Sequence, residues 1–401
     1  MSRPASLPLT MLVVGDELAF PHGGASSVYV RRLTRAVSLA GAEAAVLCLD
    51  YSERESPPRN TRARGEEQGV GFEYLTGDPV LPRRPWAIAR GRVRAAAALG
   101  PSLDAWSANR RAVVVYYGRF PSVLLRLHRA CAARALPLVA SLVEWRLAFD
   151  HQTLGQRLGD QVFHRWLPRL DGSMVISRWI EQALRDRLHV THPILRVPVL
   201  VDPDDWRDVA PHAAPRPYAV LCADFDSYPE DARLVIEALA QVKSLDLHLI
   251  GKADTRRGEL LALAERCGSA SRLVLDDLFI SDASLRSRYR GASVLLAPLR
   301  DDDRSRARFP SKVADYLLAG RPVVSSAVGE VGAYLRDGES AFLCTPGSAS
   351  SLAEAVVRAV SHPEREAIAA RGRDVALENF SLTVQGPRIV SWLERLAGRG
   401  A

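Results

Sequence analysis

Short apolar runs alternate with segments of helical period from one end of the chain to the other. Met11-Leu12-Val13-Val14 is an uninterrupted apolar run and predicts a buried strand. The loop Pro21-His22-Gly23-Gly24-Ala25-Ser26-Ser27 follows. Val28, Leu33, Val37 and Leu39-Ala40 then mark a helix that Ser26 or Ser27 can cap. Residues 44–49, 112–117, 137–142 and 173–176 read as further strands, with helices near 121–135, 156–167 and 178–188. Residues 52–69, rich in Arg, Glu and Pro, predict a mobile loop.

Prolines and aspartates crowd 201–217, which reads as an interdomain linker. The alternation then restarts. Strands are expected at 218–222, 245–250, 272–275, 293–297 and 322–325. Helices are expected near 229–242, 257–267, 282–289, 310–319 and 350–360. Repeated strand–helix units imply parallel sheets covered by helices on both faces. The chain is therefore read as α/β, with two doubly wound Rossmann-like domains, 1–200 and 201–382, facing a cleft. A length of 401 residues suits two such cores better than one. Ligands of these folds bind at the carboxyl ends of the strands.

Composition adds little to this picture, and charge adds more. With 25% charged and 7% aromatic residues the chain is ordinary globular material. Five widely spaced cysteines give neither a disulfide framework nor a zinc motif, and they favour a reducing cytoplasm. No apolar run near the start is long enough for a signal peptide or a membrane span. Residues 1–200 hold 27 basic and 17 acidic side chains, +10, whereas 201–401 hold 26 and 29, −3. A basic front half suits peripheral contact with an anionic membrane, at its inner face, or an anionic acceptor; a solvated surface in an arginine-rich chain is the alternative. The arginines are scattered and carry no nucleic-acid-binding motif, which argues against nucleic acid as a partner. Lysine occurs only at Lys243, Lys252 and Lys312, so a lysine inside a motif is informative.

The most informative stretch runs Arg308-Phe309-Pro310-Ser311-Lys312-Val313-Ala314-Asp315-Tyr316-Leu317-Leu318-Ala319-Gly320-Arg321-Pro322. Pro310 suits the start of a helix and Gly320 its end. The amides of Ser311 and Lys312 would be unpaired donors at the positive helix end, an anion site to which Lys312 adds a point charge. Asp315 lies one turn on, along the same face, placed to accept from hydroxyls. Phosphate followed by a diol is the pattern of a nucleoside diphosphate with its ribose. An ordinary capped helix with a surface Lys–Asp pair is the alternative.

Over these residues the sequence resembles the GT-B glycosyltransferases, and within them the retaining family 4 group, the glycosyl transferases group 1. The strand-like Tyr289-Arg290-Gly291-Ala292-Ser293-Val294-Leu295-Leu296-Ala297-Pro298 is similar to the segment that leads into that group's donor motif. Phe380-Ser381-Leu382 and the helix beyond are similar to its closing segment. The resemblance implies that Asp315 holds the donor ribose and that Gly23 and Gly24 let the backbone approach donor phosphates or acceptor. It also implies that a final helix, 383–401, crosses back to the first domain. No resident cofactor follows from it, only a nucleotide-diphosphate sugar as substrate.

Two departures from the family pattern matter. The first of the two acidic positions, eight before Asp315, is Ala307. The loop expected to carry an Arg or Lys pair reads Ala223-Asp224-Phe225-Asp226-Ser227-Tyr228-Pro229-Glu230-Asp231, which is acidic. Lys312, Arg308, Arg306 and Arg304 are candidates to compensate, as is Lys252 after the strand 247–250. Asp224 is a candidate for sugar hydroxyls. Where many relatives carry a histidine, this chain has Glu144, then His151. Glu144 is a candidate general base or acceptor-orienting group, with a structural ion pair as its alternative. No Asp-x-Asp or histidine cluster suggests a metal. The reading is a hexosyl-type transferase, retaining by resemblance and metal-independent, acting on a carbohydrate, lipid-linked or small-molecule acceptor. A catalytically degenerate glycan- or nucleotide-binding protein is the first alternative, a nucleotide-sugar epimerase the second.

Overall fold

The computed structural model describes residues 7–54, 57–149, 153–276 and 281–398; His151 lies outside them. The chain divides into two compact units, with boundaries between Leu200 and Val201 and between Ser381 and Leu382. The stretch after Ser381 belongs to the first unit.

The first unit is built on eight strands, β1 (Leu9–Gly15), β2 (Glu43–Cys48), β3 (Arg64–Glu67), β4 (Val70–Tyr74), β5 (Arg111–Tyr117), β6 (Leu138–Leu142), β7 (Gly172–Val175) and β8 (Ile194–Arg196). They lie in the order β3-β4-β2-β1-β5-β6-β7-β8. All pairings are parallel except β3 with β4. Every residue of β1 is buried, because helices cover both faces of a parallel sheet. The last helix, Leu382–Ala397, packs on the helix Ala25–Leu39. Gly386 permits that approach, since a Cβ there would stand 2.2 Å from the Ala36 carbonyl oxygen. Leu382, Ile389, Trp392, Leu393 and Leu396 thereby join the core of Met11 and Val13.

The second unit carries β9 (Tyr218–Cys222), β10 (Asp246–Ile250), β11 (Leu273–Asp276), β12 (Val294–Ala297), β13 (Val323–Ser326) and β14 (Phe342–Cys344). Their order is β11-β10-β9-β12-β13-β14, with every pairing parallel. Helices Pro229–Gln241 and Ala349–Ser361 pack on one face through Val235, Ile236, Leu239, Leu352 and Val356.

Three expectations change. The stretch 52–69 contains β3, an antiparallel edge strand whose register on β4 pairs Glu66 with Gly71. Its polar residues suit an edge, which is why composition made it look like a loop. Residues 201–217 are packed rather than a free linker. Trp206 is buried, the Arg290 guanidinium donates to the Val209 carbonyl, and the His212 amide donates to the Ser287 carbonyl. A long helix, Pro85–Ser107, was not foreseen, because Gly91, Gly100 and the internal Pro101 obscure its period.

Candidate functional site

In the second unit the chain order reverses between β9 and β12, so the segments leaving their carboxyl ends diverge and open a crevice. The helix Ser311–Leu318 is fastened to this point from inside. Its Tyr316 is fully buried, and the Tyr316 hydroxyl accepts a 2.8 Å hydrogen bond from the Cys222 amide at the end of β9. The Tyr316 ring meets Tyr289 edge-on at 4.8 Å. Burial pushes the Tyr316 phenol well above its ordinary pKa, so it stays a neutral anchor.

The start of this helix is the feature the sequence singled out. Pro310 is the residue before its first turn, with φ −59°. Among the described residues the amides of Ser311 and Lys312 meet no acceptor. Ser311 is exposed, while Lys312 and Asp315 are partly buried, one turn apart. Burial lowers the Lys312 pKa; Asp231 and Cys222 oppose that shift and Arg308 adds to it.

Two carboxylates of the acidic loop, Asp231 and Glu230, are paired with Arg308 and Arg304, two of the arginines proposed to compensate for it. Arg308 pairs with Asp231 at 3.2 Å, their side chains being only 13% and 6% exposed. Arg304 lies 3.6 Å from Glu230 and donates at 2.9 Å to the Ser227 carbonyl. Both guanidinium groups rest against the Tyr228 ring, at 3.9 Å and 4.1 Å from its centroid. Burial works to lower the Arg308 pKa, but the Asp231 carboxylate first, then Tyr228, override it and leave it raised. Arg306 pairs with Asp301 and Asp303. Of the four cations at 304, 306, 308 and 312, Lys312 alone forms no ion pair among the described residues.

Asp224 builds its own turn. It accepts from the Asp226 and Ser227 amides, each at 3.1 Å, and from the Ser227 hydroxyl at 2.9 Å. Burial would raise the Asp226 pKa, yet the Thr255 hydroxyl and amide and the Lys252 charge hold it below the usual carboxylate value. Lys252 is exposed and 3.7 Å from Asp254. Its carbonyl takes the Phe225 amide at 2.8 Å, so its loop is laced to the acidic one. Gly251 permits this: its φ is +154° and a Cβ would fall 1.7 Å from the Ala223 carbonyl oxygen. Ala307 is buried, and no carboxylate replaces it at its own position.

In the first unit the order reverses between β1 and β5, and the Gly23–Gly24 loop follows β1. The two glycines differ. A Cβ on Gly23 would lie 2.1 Å from the Ser27 Oγ, whereas one on Gly24 would meet nothing within 4 Å. Gly24 stands immediately before the helix Ala25–Leu39, and its carbonyl takes the Val28 amide. Glu144 follows β6 and is partly buried. Burial raises the phenol of neighbouring Tyr117, the Ser26 hydroxyl opposes this, and Tyr29 and Glu144 add to it. Tyr29 stacks on Tyr117 at 5.5 Å and shares a 3.1 Å hydrogen bond with Ser141. The glycine loop, Tyr117 and Glu144 thus share the carboxyl edge of this sheet. Asp16, which the sequence reading passed over, shapes that edge: it accepts from the Tyr116 hydroxyl and from the Arg119 and Phe120 amides. Among the described residues no group of three or more His, Cys, Asp or Glu side chains is gathered as a metal would require.

Residues 216–362 match the family described as Glycosyl transferases group 1. Sucrose-phosphate synthase from Thermosynechococcus elongatus superposes with a TM-score of 0.72 at 18% identity, over 97% of this chain and 99% of its own. The chain has the GT-B fold. The Anabaena protein HepE, in complex with UDP and glucose, gives a TM-score of 0.67 at 16% identity, over 96% of this chain and 99% of its own. Trehalose 6-phosphate synthase from Burkholderia multivorans gives 0.65 at 17% identity, over 98% and 99%. A search of curated protein sequences finds no match. The resemblance drawn from the donor-motif segment is borne out by the match over 216–362, and the two parallel-sheet units have the GT-B fold.

Proposed function

We propose that the chain transfers a hexosyl group from a nucleoside-diphosphate sugar to an acceptor hydroxyl, with retention and without a metal, in glycan or glycoconjugate assembly. The observation that carries this reading is the start of the helix Ser311–Leu318. Two amides without acceptors and an ammonium without an ion pair, among the described residues, converge there, at the strand-order reversal of the segment that matches the glycosyl transferases. Such a point favours an anion. The leaving diphosphate develops negative charge as the glycosidic bond breaks, and preorganised amides with Lys312 stabilise that charge without reorganising. Asp315, one turn along, accepts from the ribose hydroxyls. Ser311 and Lys312 bind the diphosphate, while Arg308 acts at one remove by holding Asp231 and Tyr228 in place. Gly24 has open space where a ligand's phosphate or hydroxyl can approach backbone, and Glu144 orients the acceptor hydroxyl or takes its proton.

HepE carries UDP and glucose in its structure, so a uridine donor heads the panel to be tested. Calorimetry with UDP, GDP, ADP and dTDP measures the donor site directly, and Lys312→Met should weaken the strongest binding. No binding to any of the four would defeat the reading. Buried Ala307, where the family pattern has an acid, favours a second reading in which donor is bound and not transferred. Binding without turnover across carbohydrate and lipid-linked acceptors would select it.

A further inference from the structure

Six of the eleven large apolar side chains exposed among the described residues of the first unit lie on, or at the head of, three helices. Trp86 and Val93 are 60% and 70% exposed on Pro85–Ser107, and with Ala89 they form one stripe at helical spacing. Phe120 is exposed at the head of Pro121–Ala132. Leu154, 75% exposed, begins a second stripe with Leu158 and Val162 along Leu154–Trp166. The middle helix packs against both of the others. Each connects strands running the same way across the sheet, so right-handed crossovers place all three on one face. Each also starts at the carboxyl edge of the sheet. Trp86, Phe120 and Leu154 therefore lie along the same edge as Gly24 and Glu144.

The charge on this layer is predominantly positive, although Arg92 and Arg119 pair with Asp50 and Glu17 from other segments. Residues 79–170 contain 15 arginines and four carboxylates. Of those four, Asp160 is buried against Arg146 and Asp104 pairs with Arg134. Residues 79–103 hold no carboxylate at all, while Arg83, Arg84, Arg90 and Arg94 are exposed around Trp86 and Val93. Arg157 and Arg165 flank the second stripe. Such a face repels a second copy of itself. It fits a surface that takes apolar side chains and is negatively charged, the two properties an anionic bilayer combines. No described helix is long and apolar enough to cross a membrane, so the fit is to the surface.

We propose that this face seats the protein on an anionic lipid bilayer, with Trp86, Val93 and Leu154 in the acyl boundary and the arginines among lipid phosphates. One consequence rests on the transferase reading as well: the acceptor hydroxyl would be presented by a lipid, at the edge carrying Glu144.

The test uses the full chain in flotation with vesicles of phosphatidylcholine alone or mixed equally with phosphatidylglycerol. Binding is expected only to the mixed vesicles, and it should weaken as salt rises. Each of Arg83→Gln, Arg84→Gln and Arg90→Gln should weaken it about fivefold, and the three together about a hundredfold. Trp86→Ser with Leu154→Ser should remove the salt-resistant remainder. Brominated acyl chains should quench tryptophan emission in the wild type, and the quenching should diminish in Trp86→Phe. All these side chains are exposed, so the variants should keep their circular dichroism and their nucleoside-diphosphate binding. That separates failure here from failure of the donor site. Equal binding to both vesicles, no binding, or binding untouched by the triple change would overturn the proposal. So would self-association of the wild type that the same changes abolish.

Discussion

Replacing Lys312 by methionine isolates the charge at the helix start, because the side chain keeps its length and loses only the ammonium. In the free protein this ammonium is partly buried and forms no ion pair among the described residues. Its removal therefore costs the fold nothing and relieves a desolvated charge. In the nucleotide complex the same change removes a charged hydrogen bond to phosphate. That contact contributes about 1.5–3 kcal/mol, or about a ten- to 150-fold change in Kd. Calorimetry and thermal unfolding of the two proteins should thus disagree in direction: weaker nucleotide binding, with an equal or higher Tm. The pH dependence follows from the lowered Lys312 pKa, whose largest cause is burial. The folded chain loses this proton at a lower pH than the unfolded chain, whose lysine titrates near the ordinary 10.5. Between those two values the unfolded state holds more protons, so this group's contribution to stability rises with pH. Nucleotide affinity falls across the same window as the ammonium is lost. Both trends should flatten in Lys312→Met. An unchanged Kd, or a Tm lowered by several degrees, would refute the assignment and make Lys312 a structural residue.

Asp231→Ala strands the buried Arg308 guanidinium and should destabilise the protein by about 3–5 kcal/mol in urea unfolding, while Asp231→Ala with Arg308→Met should recover most of that loss. Tyr316→Phe leaves the Cys222 amide without its acceptor, and should cost about 1–3 kcal/mol, read as a lower denaturation midpoint. The glycine loop separates packing from function. Gly23→Ala should lower Tm because its Cβ meets the Ser27 Oγ, whereas Gly24→Ala should leave Tm unchanged and reduce turnover.

The alternation of apolar runs and helical periods was enough to determine two parallel α/β sheets, since a strand covered on both faces must be apolar along its whole length, as Met11–Val14 and 294–297 are. The helix from Ser311 was legible too, because Pro310 and Gly320 act locally on the backbone. Sequence order does not disclose which charges cancel. The acidic loop looked like an obstacle to a diphosphate, but Arg308 and Asp231 are 77 residues apart in the chain and come together only through the folded sheet. Tyr228 looked like a loop residue until two guanidinium groups closed on it. The long helix Pro85–Ser107 stayed hidden behind glycines and a proline that its surroundings tolerate. Propensity and period are properties of neighbouring residues, so the sequence determined them by itself. Ion pairing, burial and which of four neighbouring cations is left without an ion pair among the described residues depend on distances across the fold, and only the tertiary structure decided those.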